Sequence, residues 1–121
     1  MPSTAKFDTW QNSAGKPLYG ARAWVNFNGT GTVAIRGSAN VSSITDNGTG
    51  SFSVNFSNAL EDANYSISVC VAHPAGSPTP PMVSPVNSAQ GAPSTTSFHL
   101  YTLNTSFGGT DATYVFATVH R

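Results

Sequence analysis

Apolar and polar residues alternate along most of this 121-residue chain. A period of two places neighbouring side chains on opposite faces of a β-strand, so each alternating segment buries one face and exposes the other. The pattern is clearest where Phe52, Val54 and Phe56 share one face. It predicts strands over 21–27, 32–36, 41–45, 51–56, 65–71, 96–103 and 112–120. We therefore expect an all-β fold, a β-sandwich of about six to eight antiparallel strands.

Two glycine-containing segments predict tight turns between these strands. Residues 28–31 (Asn-Gly-Thr-Gly) follow the first strand, and residues 46–50 (Asp-Asn-Gly-Thr-Gly) follow the third. Asn-Gly pairs adopt the positive φ angles that hairpin turns require. The first of these segments therefore predicts an antiparallel hairpin between the first two strands.

Residues 73–93 differ from the rest of the chain because they contain six of its eight prolines. Proline cannot donate a backbone hydrogen bond to a sheet, so this segment predicts a loop or an excursion along a sheet edge. Long loops on a rigid scaffold commonly carry recognition. The candidate recognition residues in this loop are His73, Pro78, Pro80 and Pro81. The expected organisation is an N-terminal arm, 1–20, followed by a sandwich domain, 21–121.

The last two predicted strands carry apolar residues on both faces, which predicts a second contact surface outside the core. In 96–103 the outer phase holds Tyr101 and Leu103, and in 112–120 one phase holds Val115 and Val119. Trp24 lies on the opposite phase from the apolar residues of its own strand. Aromatic and branched side chains of this kind are common in subunit contacts. The predicted interface residues are therefore Trp24, Tyr101, Leu103, Val115 and Val119.

Charge is scarce, and this excludes several classes of partner. Charged residues make up 8% of the chain and the formal net charge is zero, whereas soluble domains average about 25% charged residues. In place of charged residues the chain has many small polar ones and glycines: 16 Ser, 14 Thr, 10 Asn and 11 Gly. Five scattered Lys and Arg residues cannot form a nucleic-acid-binding face. No apolar window is long enough for membrane insertion, and the N-terminal residues lack the apolar stretch of a signal peptide.

The reactive side chains form no recognisable catalytic or metal-binding motif. Cys70 is the single cysteine, so an intrachain disulfide is not possible. The histidines are His73, His99 and His120, and the adjacent acids Glu61 and Asp62 are not spaced to converge on a substrate. A typical metal site needs three or four protein ligands. We expect no catalytic residues, no metal, no cofactor and no enzymatic activity.

Several segments together resemble a module of tail-fibre and other virion fibre proteins of tailed bacteriophages, especially marine ones. Residues 21–36 (ARAWVNFNGTGTVAIR) and 40–50 (NVSSITDNGTG) carry the most specific part of the resemblance. Residues 54–65, 96–104 and 111–115 are similar to its middle, its penultimate strand and its last strand. Residues 7–15 (FDTWQNSAG) are similar to the segment that commonly precedes the module.

The resemblance implies a virion structural protein, displayed as a fibre or fibre tip and involved in attachment to the host surface. It implies a homotrimer that contacts other virion proteins, with a host-surface glycan as a further partner. The location implied is the virion, assembled in the host cytoplasm. In the N-terminal arm, the attachment residues are expected to be Phe7, Asp8 and Trp10.

Two alternatives remain open at this point. The chain could be a capsid decoration or head-fibre protein that binds the shell, which a short fibre-like module would also suit. It could also be a free carbohydrate-binding module, because its Trp and Tyr side chains are of the kind that stack on sugars.

Overall fold

The computed structural model describes residues 20–72, 82–84, 91–104, 106 and 108–121. These residues form eight strands and no helix: β1 Ala21–Asn28, β2 Ala34–Ala39, β3 Val41–Gly48, β4 Ser51–Phe56, β5 Ser66–Ala72, β6 Met82–Ser84, β7 Ser97–Leu103 and β8 Tyr114–His120. They assemble into two antiparallel four-stranded sheets. Sheet one has the order β2-β1-β8-β5 and sheet two the order β3-β4-β7-β6. The expected all-β class with two antiparallel sheets is therefore confirmed.

The two sheets pack face to face around one core. Inward side chains of β1 and β8 meet those of β4 and β7, and the Phe27 ring contacts the Phe52 ring edge to face at 5.4 Å between centroids. Edge-to-face packing suits the quadrupoles of both rings. The buried apolar residues are Ala23, Val25, Phe27, Val41, Phe52, Val54, Phe56, Phe98, Leu100, Ala112, Val115, Ala117 and Val119.

The strand boundaries differ from the prediction mainly at β2 and at the second turn. β2 was predicted over 32–36 and is observed over Ala34–Ala39, so it begins two residues later and ends three residues later. β3 runs to Gly48, three residues beyond its predicted end, because the chain stays paired with β4 through a bulge between Asp46 and Gly48. The turn is thereby reduced to Thr49 and Gly50, and Gly50 has a φ of 70° that favours glycine. Within the proline-rich segment, Met82–Ser84 forms a short edge strand paired with β7.

Asn40 alone carries the chain from sheet one to sheet two. It has a φ of 54°, in the left-handed region that asparagine tolerates better than most residues. Its Nδ2 donates to the carbonyl oxygens of Arg22 (3.2 Å) and Asn58 (3.1 Å), and its Oδ1 accepts from the backbone N–H of Asn58 at 2.7 Å. The asparagine side chain therefore joins the start of β1 to the segment that follows β4.

The β3–β4 turn is fastened to the loop between β7 and β8. The backbone N–H of Gly50 donates to the Asp111 carboxylate at 2.7 Å, and its carbonyl accepts from the Thr102 N–H at 2.8 Å. The buried Thr102 hydroxyl donates to the carbonyl of Thr110. A Cβ on Gly50 would overlap the backbone of both threonines, so this close approach requires glycine.

The opposite pole of the sandwich is closed by ion pairs. Arg121 contacts Asp62 at 2.5 Å and Glu61 at 3.2 Å, and Arg22 contacts Glu61 at 3.4 Å. These groups are substantially exposed, so each pair stabilises the fold only modestly. Ala21 lies opposite His120 in the β1–β8 register, which places the first and last strands side by side at this pole.

Candidate binding face

The outer face of sheet one exposes an unusual number of large apolar side chains. We call it the aromatic face and define it by Trp24, Arg36, Tyr114 and Phe116. Its three aromatic members are 43%, 39% and 37% exposed, in the order Trp24, Tyr114 and Phe116. Contiguous exposed apolar surface of this kind commonly marks an interaction site. The aromatic face is therefore the strongest candidate site among the described residues.

The Trp24 ring reaches the neighbouring strand at a glycine. A Cβ on Gly37 would lie 3.4 Å from Cη2 and 3.5 Å from Cζ3, so the outer edge of the indole contacts this position of β2. Of the whole residue, 43% remains exposed. An indole that contacts the sheet at one edge and is exposed elsewhere can offer apolar surface to a partner.

Arg36 is directed onto the same face by a β-bulge. In the β1–β2 register Asn26 pairs with Gly37 and Phe27 pairs with Ile35, which leaves Arg36 as the extra residue. Its guanidinium donates to Asn26 Oδ1 (3.3 Å) and to the carbonyl of Thr113 (2.7 Å). Bulges commonly redirect a side chain in this manner.

The guanidinium also stacks on an aromatic pair. Cζ of Arg36 lies 4.4 Å from the centroid of the Tyr114 ring, a cation–π contact. Tyr114 in turn stacks on Phe116, with centroids 6.2 Å apart and an interplanar angle of 22°. Hydrogen bonds and ring contacts therefore hold Arg36 in one orientation.

Small polar groups and the cysteine border the rings on the β5 side. In the sheet register Cys70 pairs with Phe116, and Ser68 pairs with Thr118, which itself pairs with Trp24 on β1. Cys70 is a free, exposed thiol. The aromatic face therefore combines ring surfaces with uncharged hydrogen-bonding groups.

The outer face of sheet two is polar, and we call it the polar face. Asn47 Nδ2 donates to Ser53 Oγ at 2.7 Å, and the same Oγ lies 2.6 Å from Nδ1 of His99. Two residues further along β4, on the same face, Asn55 Nδ2 donates to Ser43 Oγ at 3.1 Å and to Thr45 Oγ1 at 2.9 Å. These side chains hydrogen-bond mainly to one another across β3, β4 and β7.

The Ser53–His99 contact has the distance of a nucleophile–base pair, but its surroundings are those of a structural network. Ser53 is buried, at 5% exposure, and its oxygen already accepts a hydrogen bond from Asn47. Among the described residues, no three His, Cys, Asp or Glu side chains are grouped closely enough to hold a metal ion.

Two titrating groups are perturbed, and both lie away from the aromatic face. Hydrogen bonds from Arg121 and from the backbone of Asn64 lower the pKa of Asp62 to about 2. Burial raises the pKa of Tyr65 to about 12, and its hydroxyl donates to the carbonyl of Ser94 at 2.8 Å. Neither shift indicates a reactive centre, because an ion pair and burial account for them.

The structure divides the predicted interface residues into two groups. Trp24 is exposed on the aromatic face, and Tyr101 and Leu103 are half-buried on β7. Val115 and Val119 were predicted to face a partner, and this is wrong for both. They are 0% and 1% exposed, because β8 turns this phase towards the core between the sheets.

Sequence reasoning missed Phe116 and Arg36 as members of the site, and it included Tyr114 only among the Trp and Tyr side chains that could stack on sugars. The alternation of β8 does place Tyr114 and Phe116 together on one face, but both phases of that strand are apolar and either could be buried. Arg36 carries no sequence signal, because its position depends on the bulge. The remaining predicted residues lie outside the described part of the chain: Phe7, Asp8, Trp10, His73, Pro78, Pro80 and Pro81.

Comparisons of the chain with protein-family models, with curated proteins and with solved structures each found no match. In the described part of the chain, no helix has the length and apolar character needed to cross a membrane.

Proposed function

We propose that this protein is a structural component of a bacteriophage particle, a fibre or fibre-tip subunit that takes part in attachment to the host surface. The aromatic face is the observation that carries the proposal. Three aromatic side chains are exposed together on a chain whose surface is otherwise rich in small polar groups. An exposed face of this kind suits a protein that works by contact rather than by catalysis.

The resemblance of 21–36 and 40–50 to virion fibre modules supports the same proposal. In the structure these two segments are β1 with β2, and β3 with the following turn. They contribute Trp24 and Arg36 to the aromatic face and Asn40 to the corner between the sheets. The residues that carry the resemblance are therefore also residues that build the candidate site.

The position of the protein on the particle separates the fibre proposal from its alternative. Antibody raised against the purified chain, detected by gold labelling in electron micrographs of the particles, should mark the tail or its fibres. Labelling confined to the capsid would instead establish a decoration or head-fibre protein.

We further propose that the subunits form a homotrimer. Size-exclusion chromatography with light scattering should give three times the 12.6 kDa chain mass. A folded monomer at micromolar concentration would contradict the trimer. Cys70, which pairs with Phe116 across the sheet, reports which face is used. Rapid alkylation of this thiol in the trimer indicates an open aromatic face, and protection indicates a covered one.

Residues 1–20 are proposed to attach the sandwich to the rest of the particle. Deleting them should leave a protein that unfolds cooperatively, because residues from Ala21 onwards supply the strands of both sheets and a cluster of thirteen buried apolar residues. The same deletion should abolish incorporation into particles, measured by immunoblotting of purified virions. An insoluble or non-cooperative product would show that this segment belongs to the fold.

A further inference from the structure

The arginine on the aromatic face differs from the other two arginines of the described chain. Arg22 and Arg121 pair with Glu61 and Asp62 at the pole of the sandwich. Arg36 has no carboxylate within ion-pair distance among the described residues, and its observed contacts are an amide oxygen, a carbonyl oxygen and the Tyr114 ring. The aromatic face therefore carries one positive charge without a matching acid.

The remaining acids of the described chain are engaged elsewhere. Asp46 accepts a hydrogen bond from the N–H of Gly48, and Asp111 accepts one from that of Gly50, both at the β3–β4 turn. In this part of the chain, no carboxylate is found within ion-pair distance of Arg36. A guanidinium with unused donors binds carboxylates well, because its planar fork can make two parallel hydrogen bonds.

We propose that the aromatic face binds an acidic polysaccharide, with a sugar ring stacked on Trp24 and a carboxylate on Arg36. A pyranose ring presents C–H groups on its faces and hydroxyl groups at its edge. The C–H groups match the electron-rich π-system of the exposed indole, and the hydroxyl groups match the polar side chains of Asn26 and Thr118. This identification of the partner rests on the proposed function, in which the protein contacts a host surface.

The charge pattern favours this ligand over two others. A second copy docked by the same face about a two-fold axis would bring two Arg36 side chains together, with no acid on the face to offset them. Nucleic acid binding needs several cations along a backbone, whereas this face offers one. A chain of acidic sugars suits both the isolated cation and the flat, uncharged surface around it.

The test is affinity electrophoresis in native gels at pH 7 and 150 mM salt. The probe is polygalacturonate, and its fully methyl-esterified form serves as the neutral control. We expect the protein to be retarded by the acid form and much less by the ester. Equal retardation by both forms, or by neither, would overturn the inference.

Matched variants separate the site from general electrostatics. Arg36→Gln and Arg22→Gln remove the same charge, but only the first should weaken binding, by about tenfold or more, as for a lost charge-assisted hydrogen bond. Trp24→Ala should weaken binding similarly, with Tyr101→Ala on sheet two as its control. Equal losses for the two arginine variants would indicate nonspecific attraction and contradict the site.

Two further measurements keep the interpretation clear. Circular dichroism melting of each variant establishes that it is folded, and Arg36→Lys should retain part of the affinity because it keeps the charge without the planar fork. Absent binding together with gold labelling of fibres would overturn the polysaccharide site and leave the proposed function standing. Binding of the polysaccharide together with gold labelling of the capsid alone would support the polysaccharide site and overturn the proposed fibre function.

Discussion

At the scale of single residues, Asn40 has the largest effect on the path of the chain. The left-handed backbone directs the chain from β2 into β3, and the side-chain amide satisfies backbone groups on both sides of the corner. Glycine would accept the same backbone angles but could not make the amide hydrogen bonds. Alanine would lack both properties, so the two substitutions separate the contributions.

We expect Asn40→Ala to lower the free energy of unfolding by about 2 kcal/mol or more, from backbone strain and lost hydrogen bonds. Asn40→Gly should lower it by about 1 kcal/mol, because only the hydrogen bonds are lost. Urea denaturation followed by tryptophan fluorescence measures both. Equal losses for the two variants would mean that the backbone angle contributes nothing at this corner.

At the scale of the element, β8 has apolar side chains on both faces, and the structure shows which face is buried. Val115, Ala117 and Val119 face the core, while Tyr114 and Phe116 face outwards. The inward phase is the one that meets Val25 and Phe27 from the neighbouring strand within the same core cluster. Small and branched side chains fit between two sheets that already contain several phenylalanine rings.

Adjacent residues of β8 should therefore lose stability to different extents when each is truncated to alanine. Val115→Ala should destabilise the protein by about 2 kcal/mol, because it removes fully buried methyl groups. Phe116→Ala removes more atoms but should lower stability by less, about 1 kcal/mol, since 37% of the residue is already exposed. Chemical denaturation of both variants is the measurement, and a larger loss for Phe116→Ala would mean that the ring is covered, for example by another subunit.

The same strand shows what the sequence can and cannot predict. Alternation was sufficient to locate β4 at both ends and to group the side chains of β8 by face, because the pleat enforces a period of two. It could not decide which apolar phase of β8 is buried, since that depends on the strand beside it. It could not identify the bulge that redirects Arg36 either, because a bulge depends on the pairing register between two strands.

At the scale of the whole molecule, the few charged side chains of the described chain act through short-range contacts and produce no extended region of one sign of charge. Two arginines and two acids close one pole, and the remaining arginine serves the aromatic face. Exposed ion pairs contribute little individually and are weakened by salt. Stability should therefore depend mainly on the core and only weakly on ionic strength.

The loss of stability at low pH should depend in part on the Arg121–Asp62 ion pair. The pKa of Asp62 is about 2 in the folded protein, against an ordinary value of 3.8. Its contribution to stability is therefore present above pH 3.8 and is lost as the pH falls towards 2. Urea midpoints measured from pH 5 to 2 should decline less for Asp62→Asn than for the unmodified chain, whereas Asp46→Asn should keep the decline. An unchanged slope in Asp62→Asn would exclude this pair as the source.

The adjacency of Ala21 and His120 across the sheet has a further consequence for modular construction. Because the sandwich begins and ends on neighbouring strands, two short connectors would suffice to insert it into a surface loop of another protein. The same adjacency makes the domain a good subject for circular permutation, since joining the two positions would require little added chain. Such an inserted domain would be held at one pole, with the opposite pole projecting into solvent.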